Sequence, residues 1–112
     1  MTAAKKYGLY LRPKLLSAYF DTLVDMFFKI LPMWEEGSET LPDYLDRFLR
    51  ELIGFRALAS TLNDDARIVS IMAIIQYLIE NPECKIGTVK RMVFHAISIC
   101  DNLRMQYAGV RR

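Results

Sequence analysis

The sequence predicts an all-α fold: a compact bundle of four main helices, with the third helix in the centre. Apolar residues recur at spacings of three and four along four segments, which is the period of an amphipathic helix. Strict alternation of apolar and polar residues never lasts long enough to indicate a sheet. Short connections containing proline, glycine or asparagine separate the segments and favour antiparallel neighbours. The predicted helices span residues 13–31, 42–61, 64–80 and 88–107.

Length and composition indicate a single domain. The chain has 112 residues, of which 53% are hydrophobic, and it shows no internal repeat or long linker. Average proteins contain roughly 45–50% apolar residues, and a small domain has much surface for its volume. Part of the apolar excess is therefore expected at the surface or under a partner. We expect one helical domain over residues 1–112, with short, basic and flexible termini.

The first helix is expected to begin at Pro13, because a proline at the first helical position has no N–H that would need a partner there. The residues of its apolar face are Leu15, Leu16, Tyr19, Phe20, Leu23, Phe27 and Ile30. Pro32 disfavours the helical conformation at Leu31, so the helix is expected to end or kink there. Trp34 would then lie in the connection to the second helix.

The second helix begins near Pro42 in this prediction, and its inward residues are Tyr44, Leu45, Phe48, Leu49, Leu52 and Ile53. Gly54 interrupts the helix and predicts a kink or a close approach by another backbone. Arg56 falls on the apolar side if the helix continues. Either Gly54 resets the helical phase, or Arg56 extends its charge to solvent, or Arg56 binds a partner or an anion.

The third helix follows three capping candidates, Asn63, Asp64 and Asp65, whose side chains can accept from its first N–H groups. It has one bulky face and one small face. The bulky face consists of Ile68, Ile71, Met72, Ile75, Leu78 and Ile79, and the small face consists of Ala66, Val69, Ser70, Ala73 and Tyr77. Two interpretations stay open: both faces pack within the chain, or the small face meets another copy or a partner.

The fourth helix is expected to begin at Thr88, a capping residue after Gly87, and to end near Tyr107. Its core face consists of Val89, Met92, Val93, Ala96, Cys100, Leu103 and Tyr107. His95, Ser98 and Asn102 lie together on the polar side. A general base needs an orienting partner and a nucleophile, and a solvated helix face explains this row better. We therefore expect no enzymatic activity and no cofactor.

Large apolar side chains outside the main core faces are further candidates for an interface, since such residues often dominate binding energy. They are Phe28, Trp34, Phe94 and Met105. Together with the small face of the third helix, they predict a non-enzymatic protein–protein interaction module. Such a module would act as an adaptor, a small regulator or an inhibitor, and we expect it to form a homodimer.

The start of the fourth helix supports an alternative function. Lys85, Thr88, Lys90 and Arg91 surround a helix N-terminus, where backbone N–H groups favour anions. With the basic termini they would suit a nucleic-acid-binding helical protein, although the net charge of +2 does not require such a partner. A membrane-associated or immunity-type helical protein is a third hypothesis, which rests on analogy of fold alone.

The cysteines and the absence of targeting signals predict a compartment. Cys84 and Cys100 do not form a CxxC pair, and no neighbouring histidine or cysteine completes a metal site. Buried thiols are typical of a reducing compartment. The N-terminal stretch lacks the apolar core of a signal peptide, and we find no stretch that would span a membrane. We expect a cytoplasmic protein without a transmembrane segment.

Overall fold

The computed structural model describes residues 4–5, 8–9, 13–59, 62 and 64–107. These residues form four helices: α1 (Pro13–Glu36), α2 (Leu41–Leu58), α3 (Ala66–Glu80) and α4 (Ile86–Tyr107). The predicted all-α bundle is therefore confirmed. Two short strands, β1 (Ala4–Lys5) and β2 (Gly8–Leu9), pair antiparallel ahead of α1. Strands of two residues are too short to produce a visible alternation in the sequence. Residues 60 and 61, which we assigned to the second helix, and most of the basic termini lie outside the described residues.

The four helices form a closed ring in which neighbours run antiparallel. The most extensive packing joins α1 to α4, and α2 packs against α3. Contacts between α3 and α4 and between α1 and α2 complete the ring. Aromatic pairs connect opposite ends of the chain, as where the Phe20 and Tyr107 rings stack with centroids 5.9 Å apart. Thus α3 lies between α2 and α4, which leaves one of its sides without a neighbour among the described helices.

The core follows the predicted faces closely, with two corrections. Its largest fully buried side chains are Leu16, Phe20, Leu23, Phe27, Ile30, Phe48, Leu52, Leu62, Ile68, Ile71, Ile75 and Leu78. Leu15 and Ile53, which we assigned to core faces, are 59% and 46% exposed. Each lies next in sequence to a fully buried residue, about 100° away on the helix. A small tilt of the helix therefore decides whether such a side chain enters the core.

The end of α1 corrects the prediction that Pro32 stops the helix. The helix continues through Pro32 to Glu36. A proline inside a helix removes the N–H that would bond to the Phe28 carbonyl, and its ring crowds that carbonyl, but the turns on either side keep the chain helical. Gly37 ends α1 instead, with a φ of 65°. The Gly37 N–H donates to the Trp34 carbonyl at 3.2 Å, and the Ser38 N–H donates to the Met33 carbonyl at 3.0 Å. This pattern is the Schellman motif, which a glycine in the left-handed region stabilises.

Other helix ends also differ from the prediction. Thr88 does not cap α4, which begins two residues earlier at Ile86. The Lys85 carbonyl accepts from the N–H groups of Thr88 and Val89, each at 3.0 Å. One capping candidate of the third helix is confirmed, since the Asp65 carboxylate accepts from the Arg67 backbone N–H at 2.9 Å.

Gly54 neither ends α2 nor meets another backbone. The helix runs on to Leu58, and a Cβ at residue 54 would have no atom within 4 Å. The close backbone approach suggested from the sequence is therefore wrong. Because α2 is continuous, the helical phase is not reset, and Arg56 is half-buried on it.

Candidate interaction surface

The small face of α3 lies at the surface. Its five residues, Ala66, Val69, Ser70, Ala73 and Tyr77, are all exposed. The two largest of them remain far from buried, since Val69 is 47% and Tyr77 is 42% exposed. The opposite side of the same helix is buried, including the side chains of Ile71 and Ile75. Of the two interpretations left open, packing of both faces against the described part of the chain is therefore wrong.

Residues of α2 extend this face into a shallow apolar depression. The depression has a volume of about 250 Å³ and is lined by Leu49, Ile53, Val69, Met72, Ala73 and Gln76. Leu49 and Met72 are half-buried and form its floor, while Ile53 stands at the rim. Ile53 is the contribution that the sequence analysis missed, because its spacing matched the core face. We call the exposed small face of α3 together with Leu49, Ile53 and Met72 the α2–α3 face.

Charged groups lie at the two ends of α3 rather than on the middle of the α2–α3 face. At the N-terminal end, Arg67 Nη2 donates to Asp65 Oδ2 at 2.9 Å and to Gln106 Oε1 on α4 at 2.8 Å. These contacts hold the guanidinium towards α4. At the C-terminal end, Gln76 Nε2 donates to Glu80 Oε2 at 2.7 Å. Between Arg67 and Glu80 the helix has no charged residue. An apolar centre with a polar rim is the usual arrangement of a protein–protein interface.

The electrostatics of this end of α3 are set by Asp65 and Arg67. Hydrogen bonds from Arg67 are the main reason that the pKa of Asp65 lies below its ordinary value. The same contact raises the pKa of Arg67. Both side chains therefore keep their charges at neutral pH, and they fix the first turn of α3 against the end of α4.

The remaining candidate interface residues are not brought together with the α2–α3 face. Phe28 of α1 and Phe94 of α4 form an exposed edge-to-face pair, with ring centroids 6.1 Å apart and planes at 73°. Met105 is also exposed on α4. Trp34 is half-buried, and its Nε1–H donates to the Cys84 carbonyl at 2.9 Å. Our assignment of Trp34 to a connection is wrong, since it lies in the last turns of α1.

The cationic candidates lie at the start of α4. Lys85, Lys90 and Arg91 are exposed, and Thr88 is half-buried within the first turn of the helix. Glu83, also exposed, adds an acidic group two residues before Lys85. The basic termini that would extend this cationic region are largely outside the described residues.

The polar residues on α4 and the two cysteines are the remaining candidates for catalysis or metal binding. His95, Ser98 and Asn102 are all exposed, as expected of a solvated helix face. Cys84 and Cys100 are free thiols, and burial raises the pKa of Cys100 to about 12. Within the described part of the chain, no three histidine, cysteine, aspartate or glutamate side chains are grouped to hold a metal ion.

Fold and surface together define a small antiparallel four-helix protein in which the described residues leave an apolar face of α3 exposed. None of its described helices combines the length and apolarity needed to cross a membrane. Comparisons with family models, curated proteins and solved structures found no match.

Proposed function

We propose that this protein is a non-enzymatic protein–protein interaction module that pairs with a second copy of itself through the α2–α3 face. The observation that carries the proposal is the exposure of Val69, Ala73, Tyr77 and Ile53 beside a stretch of α3 that has no charged residue between Arg67 and Glu80. Burying such side chains against a partner removes apolar area from water at roughly 25 cal/mol per Å². We assign this activity to the cytoplasm, which suits two free thiols.

The face has a register in which it is complementary to itself. A two-fold axis through Ala73 would align two copies of α3 antiparallel. Val69 and Tyr77 each lie four residues from Ala73, which is about 6 Å along the helix. The axis therefore sets Val69 of one copy opposite Tyr77 of the other. Ser70 and Gln76, each three residues from Ala73, would likewise lie opposite one another as a polar pair.

Size and charge also favour this pairing. Ala73 and Ser70 leave little side-chain volume between the helices, so the axes could approach to about 8 Å. Antiparallel helices align their dipoles favourably, with the N-terminus of one beside the C-terminus of the other. Arg67 near one end of α3 would then lie near Glu80 of the second copy. Interfaces that are isologous in this way are the commonest in homodimers.

Sedimentation equilibrium tests the proposal over about 1 µM to about 1 mM protein. We expect the average mass to rise from 13.0 kDa towards twice that value. Ala73→Glu would put two carboxylates at the two-fold axis, and we expect it to remain monomeric. Asn102→Glu is the matched control, because it adds the same charge to an exposed position on α4. A monomer at every concentration, or equal association in both variants, would contradict the proposal.

A cross-linking experiment tests the register. In a Cys84→Ser background, Ala73→Cys should oxidise readily to a disulfide-linked dimer, because residues on a two-fold axis face each other within disulfide range. Asn102→Cys serves as the control for random collision. If the two cysteines cross-link at the same rate, α3 does not pair about Ala73.

Nucleic-acid binding is the alternative, supported by the exposed cations Lys85, Lys90 and Arg91. All 13 acidic residues but only ten of the 15 basic ones lie between residues 13 and 107, so this region carries a net charge of −3. That charge disfavours approach of a polyanion. Nucleic-acid binding that weakens steeply with salt and is lost in Lys90→Glu/Arg91→Glu would support the alternative over the homodimer.

A further inference from the structure

A second apolar feature lies at one end of the bundle, where α1 ends, α2 begins and α3 ends. It is a half-open cavity of about 200 Å³ whose lining residues are all apolar. Its walls include Trp34 of α1, Leu41 and Pro42 of α2, Leu78 and Ile79 of α3, and Pro82. This cavity is separate from the depression on the α2–α3 face, with which it shares no lining residue.

Several residues restrict movement of the cavity walls. Trp34 is held by the bond from its Nε1–H to the Cys84 carbonyl at 2.9 Å. Pro42 and Pro82 contribute rings with a fixed backbone φ. Leu78 is 1% exposed and belongs to the packed core. The cavity is therefore largely formed before any ligand arrives, which reduces the ordering cost of binding.

We propose that this cavity binds a small, uncharged aromatic molecule. An engineered protein cavity of about 150 Å³ holds benzene, so the 200 Å³ found here suits a benzene ring with one or two small substituents. A flat ring can pack against the Trp34 indole in an offset or edge-to-face arrangement. An ionised group would lose its hydration without gaining a partner in an apolar lining. Because Trp34 and Cys84 already bond to each other, the ligand would be held by shape and apolar contact.

Methyl NMR with toluene as the probe tests this proposal. The ring current of bound toluene should shift the Leu78 methyl resonances, and the shift should saturate with concentration. Ile79→Trp fills the cavity, so we expect the affinity to fall by about tenfold or more. Ile99→Trp is the matched control: it makes the same substitution at a half-buried residue of α4 outside the cavity. It should bind toluene like the original protein.

Two outcomes would overturn the proposal: a Leu78 shift that rises linearly without saturation, or equal shifts in the Ile79→Trp and Ile99→Trp variants. If Ile79→Trp fails to fold, Leu41→Trp fills the cavity from the opposite wall and gives the same comparison. The titration is repeated on Ala73→Glu, the variant expected to remain monomeric. Toluene binding by this variant would show that the cavity does not depend on the homodimer. The cavity proposal and the homodimer proposal can then be contradicted independently.

Discussion

Asp65 provides the sharpest test of how α3 is held in the bundle. It precedes α3 in an extended conformation, with φ of −83° and ψ of 113°. Its Oδ1 accepts from the Arg67 backbone N–H at 2.9 Å and from Arg67 Nε at 3.1 Å, and its Oδ2 accepts from Nη2 at 2.9 Å. Because Arg67 also donates to Gln106, this one carboxylate connects the first turn of α3 to the end of α4. We therefore expect Asp65→Ala to destabilise the fold measurably.

The size of the effect follows from two contributions. Loss of a helix cap costs about 1 kcal/mol. The ion pair adds less, because the Arg67 side chain is 38% exposed, and water limits such pairs to about 0.5 kcal/mol. Asp65→Ala should lower the free energy of unfolding by about 1.5 kcal/mol, and the melting temperature by about 6–9 °C for a domain of this size. Asp65→Asn keeps the cap and should cost only about 0.5 kcal/mol.

The effect of Asp65→Ala should also depend on pH. Hydrogen bonds from Arg67 hold the pKa of Asp65 below its ordinary value of 3.8 in the folded protein. A depressed carboxyl pKa stabilises the fold fully above the pKa of the unfolded chain, and this stabilisation disappears as pH falls through the folded pKa. The difference in free energy of unfolding between the original protein and Asp65→Ala should therefore be largest at pH 7. It should become smaller once the pH drops below about 4.

Urea unfolding followed by circular dichroism at 222 nm measures both effects. The protein is kept at low micromolar concentration, so that self-association does not add to stability. Asp64→Ala is the control, since Asp64 is the exposed neighbour of the capping residue. Equal losses in Asp65→Ala and Asp65→Asn would refute capping as the source of the stability. If the difference in free energy of unfolding between the original protein and Asp65→Ala stays constant between pH 7 and pH 3, the charge of Asp65 has no role in stability.

Two further predictions concern α1 and the thiols. Pro32→Ala restores the N–H that can bond to the Phe28 carbonyl, and it should raise the free energy of unfolding by about 2 kcal/mol; a drop in stability in urea unfolding would contradict this. Cys84 is half-buried, whereas Cys100 is buried and burial raises its pKa to about 12. A thiol-reactive disulfide reagent at pH 8 should therefore label Cys84 in the folded protein and Cys100 only after unfolding, and rapid labelling of both would show that the core around Cys100 opens.

The sequence predicted the number, order and inward faces of the helices because these depend on short-range periodicity. Helix ends were harder to predict, since they depend on single hydrogen bonds. Pro32 removes one donor from a helix of 24 residues, and the surrounding turns keep the chain helical. Gly37 ends α1 because it can adopt a φ of 65° at little cost. A glycine directly after Glu36 was the signal for this end, and it outweighs a proline inside the helix.

The candidate interface was predictable in part for the same reason. Helical spacing identified the small face of α3, whose five residues are exposed. Spacing could not show that Phe28 of α1 contacts Phe94 of α4 and does not join the α2–α3 face, because the order of helices around the ring is a tertiary property. It also assigned Ile53 to the core. The exposure of a side chain at the edge of a helical face depends on the tilt of the neighbouring helix. Helical spacing in the sequence does not predict that tilt.

The apolar composition of α3 follows from its place in the ring. One side of the helix must enter a core that also receives Phe27 and Phe48, whose ring centroids are 4.8 Å apart. That requirement explains Ile71 and Ile75, but it does not explain Val69 or Tyr77 on the opposite side. A helix that only had to cover the core would carry charges there, as α2 does where Asp46 pairs with Arg50 at 2.6 Å. Because α3 has no charge from Ile68 to Ile79, a second apolar contact beyond the chain's own core accounts best for its sequence.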